Sequence, residues 1–162
     1  MRIAIGSDEA GFGLKEIVKE YVKSQGAEIV DFGTFDENDQ VDYPDVGFHV
    51  ANEIMQGNFE RGILICGTGI GMTITADKVP GIRAALCHDT YSAERAIKSN
   101  NAQILTMGAR VIGVELAKHI VHTWLNAEFT GGPSERKVKK IMDGEDSFLR
   151  AYGNKPEINS CS

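Results

Sequence analysis

Along this chain short apolar runs and helical repeats take turns, and few architectures absorb that pattern. Ile3 to Ile5 run into Gly6, then Leu14, Ile17, Val18, Tyr21 and Val22 recur at helical spacing until Gly26. Glu28 to Phe32 read as a strand, residues 33 to 43 as a polar loop, and Pro44 opens a helix through Val46, Val50, Ile54 and Met55. Strands are expected at Gly62–Ile65, Ile82–Leu86 and Gln103–Thr106. Helices are expected at Ile70–Ala76, Ser92–Lys98 and Val114–Leu125, with a further helical pattern from Ser134 to Arg150.

Strands separated by helices predict an α/β fold: a doubly wound, Rossmann-like three-layer sandwich with a mostly parallel sheet. Right-handed crossovers bring the C-terminal ends of the strands to one edge, where open α/β sheets bind ligands. That edge collects Gly6-Ser7-Asp8-Glu9, Cys66-Gly67-Thr68-Gly69, Cys87-His88-Asp89 and Met107-Gly108-Ala109-Arg110. With 162 residues the chain suits one core, so residues 1–150 are read as a single domain and 151–162 as a flexible tail.

Charge narrows the function. Acidic residues outnumber Lys and Arg, leaving a net charge of −6, and the basic residues are scattered, which argues against a nucleic-acid surface. No apolar run approaches the ~18 residues of a membrane span, and the first run is too short for a signal peptide, so a cytoplasmic location is expected. Three widely spaced cysteines without a CxxC argue against a zinc knot or a disulfide framework.

The segment ILICGTGIGM, residues 63–72, puts a thiol at the mouth of a glycine-rich loop. Cys66 there could serve as a metal ligand, redox group, nucleophile or base, or simply fill the core. The positive end of a following helix favours thiolate, and Gly67, Gly69 and Gly71 let backbone N–H groups approach an anion. Thr68 offers a hydroxyl to a ligand or a cap to the helix. GTGIG is a weak nucleotide signal, because it follows a middle strand and lacks the lysine of a phosphate loop. Asp8 and Glu9 suit acid–base work, cation binding or a turn cap. His88-Asp89 reads as a local cap, His119 and His122 as surface residues, and Arg110 as an anion partner or one half of a surface ion pair.

GSDEAGFGLKE, VDYPD, ILICGTGIGM, GIRAALCHDTYSA, MGARVIG and NAEFTGG occur in that order over residues 1 to about 140. Together they resemble the type B ribose-5-phosphate isomerase and galactose-6-phosphate isomerase family. The resemblance implies a homodimer, with pairing into tetramers left open, whose sites lie at the subunit interface. It also implies aldose–ketose isomerisation of a small sugar phosphate with no metal or cofactor. Cys66 corresponds to the family's general base, and Gly67 to Gly71 to its oxyanion loop. Thr68, Asp8, Tyr43 and Asn100 correspond to sugar contacts, and Arg110 to a phosphate-binding arginine.

The chain also departs from the family pattern. The family's DHAG is Asp8-Glu9-Ala10-Gly11 here, and its HND is Ser99-Asn100-Asn101. Its GGRHxxR is Gly131-Gly132-Pro133-Ser134-Glu135-Arg136-Lys137, so Arg136 and Lys137 are left as nearby cations. Ser99 therefore replaces the ring-opening histidine. A tetrose 4-phosphate needs no ring opening, because phosphate occupies the hydroxyl that would close the usual ring. Isomerisation between a tetrulose and a tetrose 4-phosphate is thus expected. Ordinary ribose-5-phosphate activity, an unphosphorylated sugar whose hydroxyls Glu9 accepts, and a non-catalytic binder are the alternatives.

Overall fold

The computed structural model describes residues 1–153. Its five strands are β1 (Arg2–Ser7), β2 (Glu28–Asp31), β3 (Arg61–Cys66), β4 (Ala84–Leu86) and β5 (Ile104–Gly108). They form one sheet in the order β2-β1-β3-β5-β4, and every pairing in it is parallel. The α-helices are α1 (Phe12–Ser24), α2 (Tyr43–Met55), α3 (Ile70–Asp77), α4 (Thr90–Asn100), α5 (Val114–Asn126) and α6 (Glu135–Tyr152).

Side-chain alternation sorts each strand between two cores. Ile3, Ile5, Ile63, Ile65, Leu105 and Met107 face α1, α4 and α5, around the fully buried Trp124. Ala4, Leu64, Cys66 and Ile104 face α2 and α3. Burial on both faces explains why the strands read as continuous apolar runs rather than alternating ones.

The strand order also creates the crevice. From β1 the chain passes through α1 to β2 on one side, whereas β3 lies on the other side of β1 and leads through α3 towards β4. The segments after β1 and β3 therefore part at neighbouring strand ends, a topological switch point.

Several boundaries shift from expectation. The expected strand from Ile82 begins only at Ala84, because Ile82 closes a turn through its N–H to Val79 O at 3.1 Å and packs beneath α2 and α3. Apolar content marks burial there, not pairing. The second strand stops at Asp31 rather than Phe32, and β5 runs on to Gly108. The helix expected from Ser92 starts at Thr90, since Asp89 caps it by accepting the Ser92 N–H at 2.7 Å. Helix α6 continues to Tyr152, past the expected start of the tail at 151. The remainder of that tail, including Cys161, lies outside the described residues.

Among the described residues, Lys15 is the charged side chain that is fully buried. Lys15 Nζ donates to Asp31 Oδ2 and to Thr34 O, both at 2.6 Å, and lies 3.0 Å from Glu16 Oε1. Lys19 shares the Asp31 carboxylate at 2.7 Å. The cluster anchors the start of the segment that leads from β2 to α2. Burial alone would push the Asp31 carboxyl up, but hydrogen bonds from Lys15, Lys19 and the Gly33 N–H hold it below the usual carboxylate range. Lys15→Ala should lower unfolding free energy by about 3 kcal/mol at neutral pH, because it strips a buried carboxylate of one partner. The contribution of Asp31 is complete above its unfolded value of about 3.9 and is lost as pH falls through its lower folded value. Urea denaturation of both proteins at pH 7 and below pH 3 checks this: the gap should narrow in acid.

Candidate active site

Two backbone turns meet at the switch point. Cys66 ends β3, and its pleat direction turns the thiol towards α2 and α3. Cys66 is 5% exposed, and its Sγ accepts the Gly69 N–H at 3.1 Å. Gly69 has φ +79°, and a Cβ there would lie 2.8 Å from the Met107 carbonyl carbon, so only glycine fits this turn. A Cβ on Gly108 would come within 2.6 Å of the Thr68 carbonyl carbon. The turn after β3 thus lies directly against the turn after β5. Ala109 N donates to Cys66 O at 2.9 Å and Arg110 N to Gly67 O at 3.0 Å.

Among the described residues, the N–H groups of Gly67, Thr68 and Gly71 have no hydrogen-bond partner. Thr68 is exposed, and its Oγ1 accepts the Ile70 N–H at 3.3 Å. Beneath, Thr73 Oγ1 donates to Gly69 O at 2.8 Å and meets Thr106 Oγ1 at 2.6 Å, bracing the helix start.

A cavity of about 470 Å³ opens over these groups. Asp8, Glu9, Tyr43, Cys66, Gly67, Thr68, Gly71 and Arg110 all line it. Gly69 shapes the turn from behind. Asp8 is 8% exposed and accepts the Gly11 N–H at 3.0 Å. Burial pushes its carboxyl above the ordinary range; the Gly11 N–H opposes this, Glu9 adds to it and Arg110 lowers it. Arg110 lays its side chain over Gly67, and among the described residues its guanidinium makes no ion pair. A carboxylate, a thiol, free amides and an unpaired cation therefore surround one small space.

Ser99, Asn100, Arg136 and Lys137 do not line this cavity. Helix α4 runs back from the C-terminal edge, so its last turn, with Ser99 and Asn100, lies at the opposite edge. There Arg83 Nε donates to Asn100 O at 3.1 Å. Arg136 and Lys137 are exposed at the start of α6.

Three lining residues escaped the sequence reading: Ala10, beside Asp8 and Glu9, and on α3 the pair Ile70 and Ile74, the two of them more than half exposed. The signal of that pair was its apolar i, i+4 spacing on the helix face opposite the buried Met72, Thr75 and Ala76. Cys87 behaves as core: it is 1% exposed, and burial pushes its thiol up to about 12. His119 and His122 are exposed, as expected. No group of three His, Cys, Asp or Glu side chains among the described residues is arranged to hold a metal ion.

An open parallel sheet with such a crevice defines an α/β protein whose thiol, free amides and unpaired cation are suited to a small anionic molecule. A profile described as Ribose/Galactose Isomerase matches residues 3–141, and the chain belongs to that family. It is 54% identical over 141 residues to a D-erythrulose-4-phosphate isomerase of Pectobacterium atrosepticum, covering 87% of this chain and 93% of that one. It is 55% identical over 138 residues to a ribose-5-P isomerase B of Listeria innocua, covering 85% and 93%. The solved ribose-5-phosphate isomerase B of Clostridium thermocellum superposes with a TM-score of 0.88 at 48% identity, covering 91% of this chain and 99% of that one.

The Tyr43 ring lies against Gly71, where a Cβ would stand 2.6 Å from its Cε2. Gly71→Ala should push the ring off the cavity wall and lower kcat/KM by about tenfold or more, with little change in thermal midpoint. Steady-state kinetics beside a melting curve checks the separation.

Proposed function

We propose that this chain is an aldose–ketose isomerase that interconverts a tetrulose 4-phosphate and a tetrose 4-phosphate through a cis-enediolate. The observation that carries the reaction type is Cys66, a thiol held at the cavity floor beside free amide N–H groups. Its thiolate takes the proton from the carbon beside the carbonyl. The released electron pair forms the carbon–carbon double bond as the carbonyl electrons move onto oxygen. The thiol then returns the proton to the former carbonyl carbon while the neighbouring hydroxyl's proton passes to the former carbonyl oxygen, so the carbonyl moves by one carbon and no net oxidation occurs. The N–H groups of Gly67, Thr68 and Gly71 and the Thr68 hydroxyl stabilise the oxyanion, and Arg110 binds the phosphate. Asp8, Glu9 and Tyr43 take the remaining hydroxyls.

Ser99 supports the short substrate. Serine is a poor acid or base near neutrality, and a tetrose 4-phosphate arrives already open. Similarity to the Pectobacterium protein, named for D-erythrulose 4-phosphate, agrees with it. Similarity to the Listeria protein, named ribose-5-P isomerase B, favours a second reading, in which another group opens a pentose ring.

Ser99, Asn100, Arg136 and Lys137 reach a substrate if the chain works as a homodimer, with these residues of a second copy closing the cavity. Exposed Ile70, Ile74 and Val111 around the crevice are consistent with such a covering. In this reading residues 1–150 act as one domain, in the cytoplasm, without metal or cofactor.

Purified protein assayed on erythrose 4-phosphate, ribose 5-phosphate, allose 6-phosphate, galactose 6-phosphate and unphosphorylated ribose tests the substrate. Preference for the tetrose phosphate is expected; robust ribose-5-phosphate turnover with no tetrose activity overturns that choice. Cys66→Ala should lose about a thousandfold in kcat while binding the sugar phosphate nearly as well. Absence of wild-type turnover on every sugar would leave a binding protein instead. Ser99→His should raise ribose-5-phosphate turnover relative to the tetrose.

A further inference from the structure

His88 does not line the cavity, yet it holds the turn that carries Arg110. The sheet ladder explains how. Leu86 pairs with Thr106, and Cys87 N donates to Thr106 O at 3.1 Å. The next rung of a parallel ladder would take the Gly108 N–H to a carbonyl of β4. By then β4 has ended and the chain is turning into the Asp89 cap of α4. The imidazole fills the gap: its Nε2 accepts the Gly108 N–H at 3.0 Å. An accepting Nε2 bears no proton, so the neutral ring carries its proton on Nδ1.

Gly108 is the base of the anion-binding turn. Its carbonyl accepts the Val111 and Ile112 N–H groups at 3.0 and 3.2 Å. Its Cα lies against the Thr68 backbone with no space for a side chain. Two residues on, Arg110 is tied to Gly67 O and lays its guanidinium over Gly67. A shift at Gly108 therefore moves both the cation and the oxyanion turn.

We propose that His88 is a positioning residue for the substrate's phosphate: through the Gly108 N–H it sets where the Arg110 guanidinium stands. The inference rests on the reading of Arg110 as the phosphate-binding cation. It needs an acceptor at the reach of Nε2, not an imidazole as such. Glutamine supplies one, leucine supplies none, and asparagine is too short to reach.

A double-mutant cycle tests it, with His88→Leu, His88→Gln, Arg110→Ala and the Leu/Ala double variant assayed on the phosphorylated sugar the wild type turns over best. His88→Leu should raise KM about tenfold with kcat changed less than about threefold, and His88→Gln should stay within about threefold of wild type. The double variant should be no worse than Arg110→Ala. The proposal is overturned by an unchanged KM in His88→Leu, by a glutamine variant as poor as leucine, or by effects that multiply in the double variant. If His88→Leu does not fold, His88→Asn takes its place with the same expectations. An Arg110→Ala enzyme with unchanged KM would instead remove the phosphate role of Arg110, a failure distinct from that of His88.

Discussion

Two turns pressed backbone to backbone set the geometry of this protein's site. The turn after β3 and the turn after β5 approach so closely that neither Gly69 nor Gly108 could carry a side chain without meeting the other's main chain. Everything in the crevice hangs on this contact. It fixes the Cys66 thiol under the Gly69 N–H, leaves neighbouring amides free, and joins Arg110 to Gly67 by a backbone hydrogen bond. Such a contact needs neighbouring strands of matched length. The register that pairs Cys66 with Gly108 supplies that match.

The crevice trades local satisfaction for chemistry. Backbone N–H groups in a fold mostly find partners, yet several around Cys66 have none within the protein. Burial raises the Asp8 carboxyl's affinity for its proton while Arg110 stays unpaired nearby. These are unfavourable arrangements for an empty protein and favourable ones around an anion with hydroxyls. Two cations away from the site are closed off by contrast. Lys15 is held by two carboxylates and a carbonyl, and Arg83 binds the carbonyls of Asn100 and Asn101.

Much of the fold was legible because its signals are local. Helical spacing at Leu14, Val18 and Val22 and the proline at position 44 mark helices whatever surrounds them. Apolar runs too short for helices mark strands buried on both faces. Ile82 misled because an apolar residue beneath two helices looks the same in sequence whether it pairs or turns. Asp89 was legible as a cap, since its partner Ser92 is three residues away. His88, one residue earlier, was not: its partner Gly108 lies twenty residues off on another strand.

The sequence alone determined that strands and helices alternate and that glycines surround Cys66. These follow from residue type and spacing, which need no fold to be read. Only the tertiary structure decided the strand order, and with it that Asp8 and Cys66 share a crevice while Ser99 lies at the opposite edge. The physical reason is that strand order is set by which apolar faces bury one another across the sheet. No window of sequence contains both partners of such a contact.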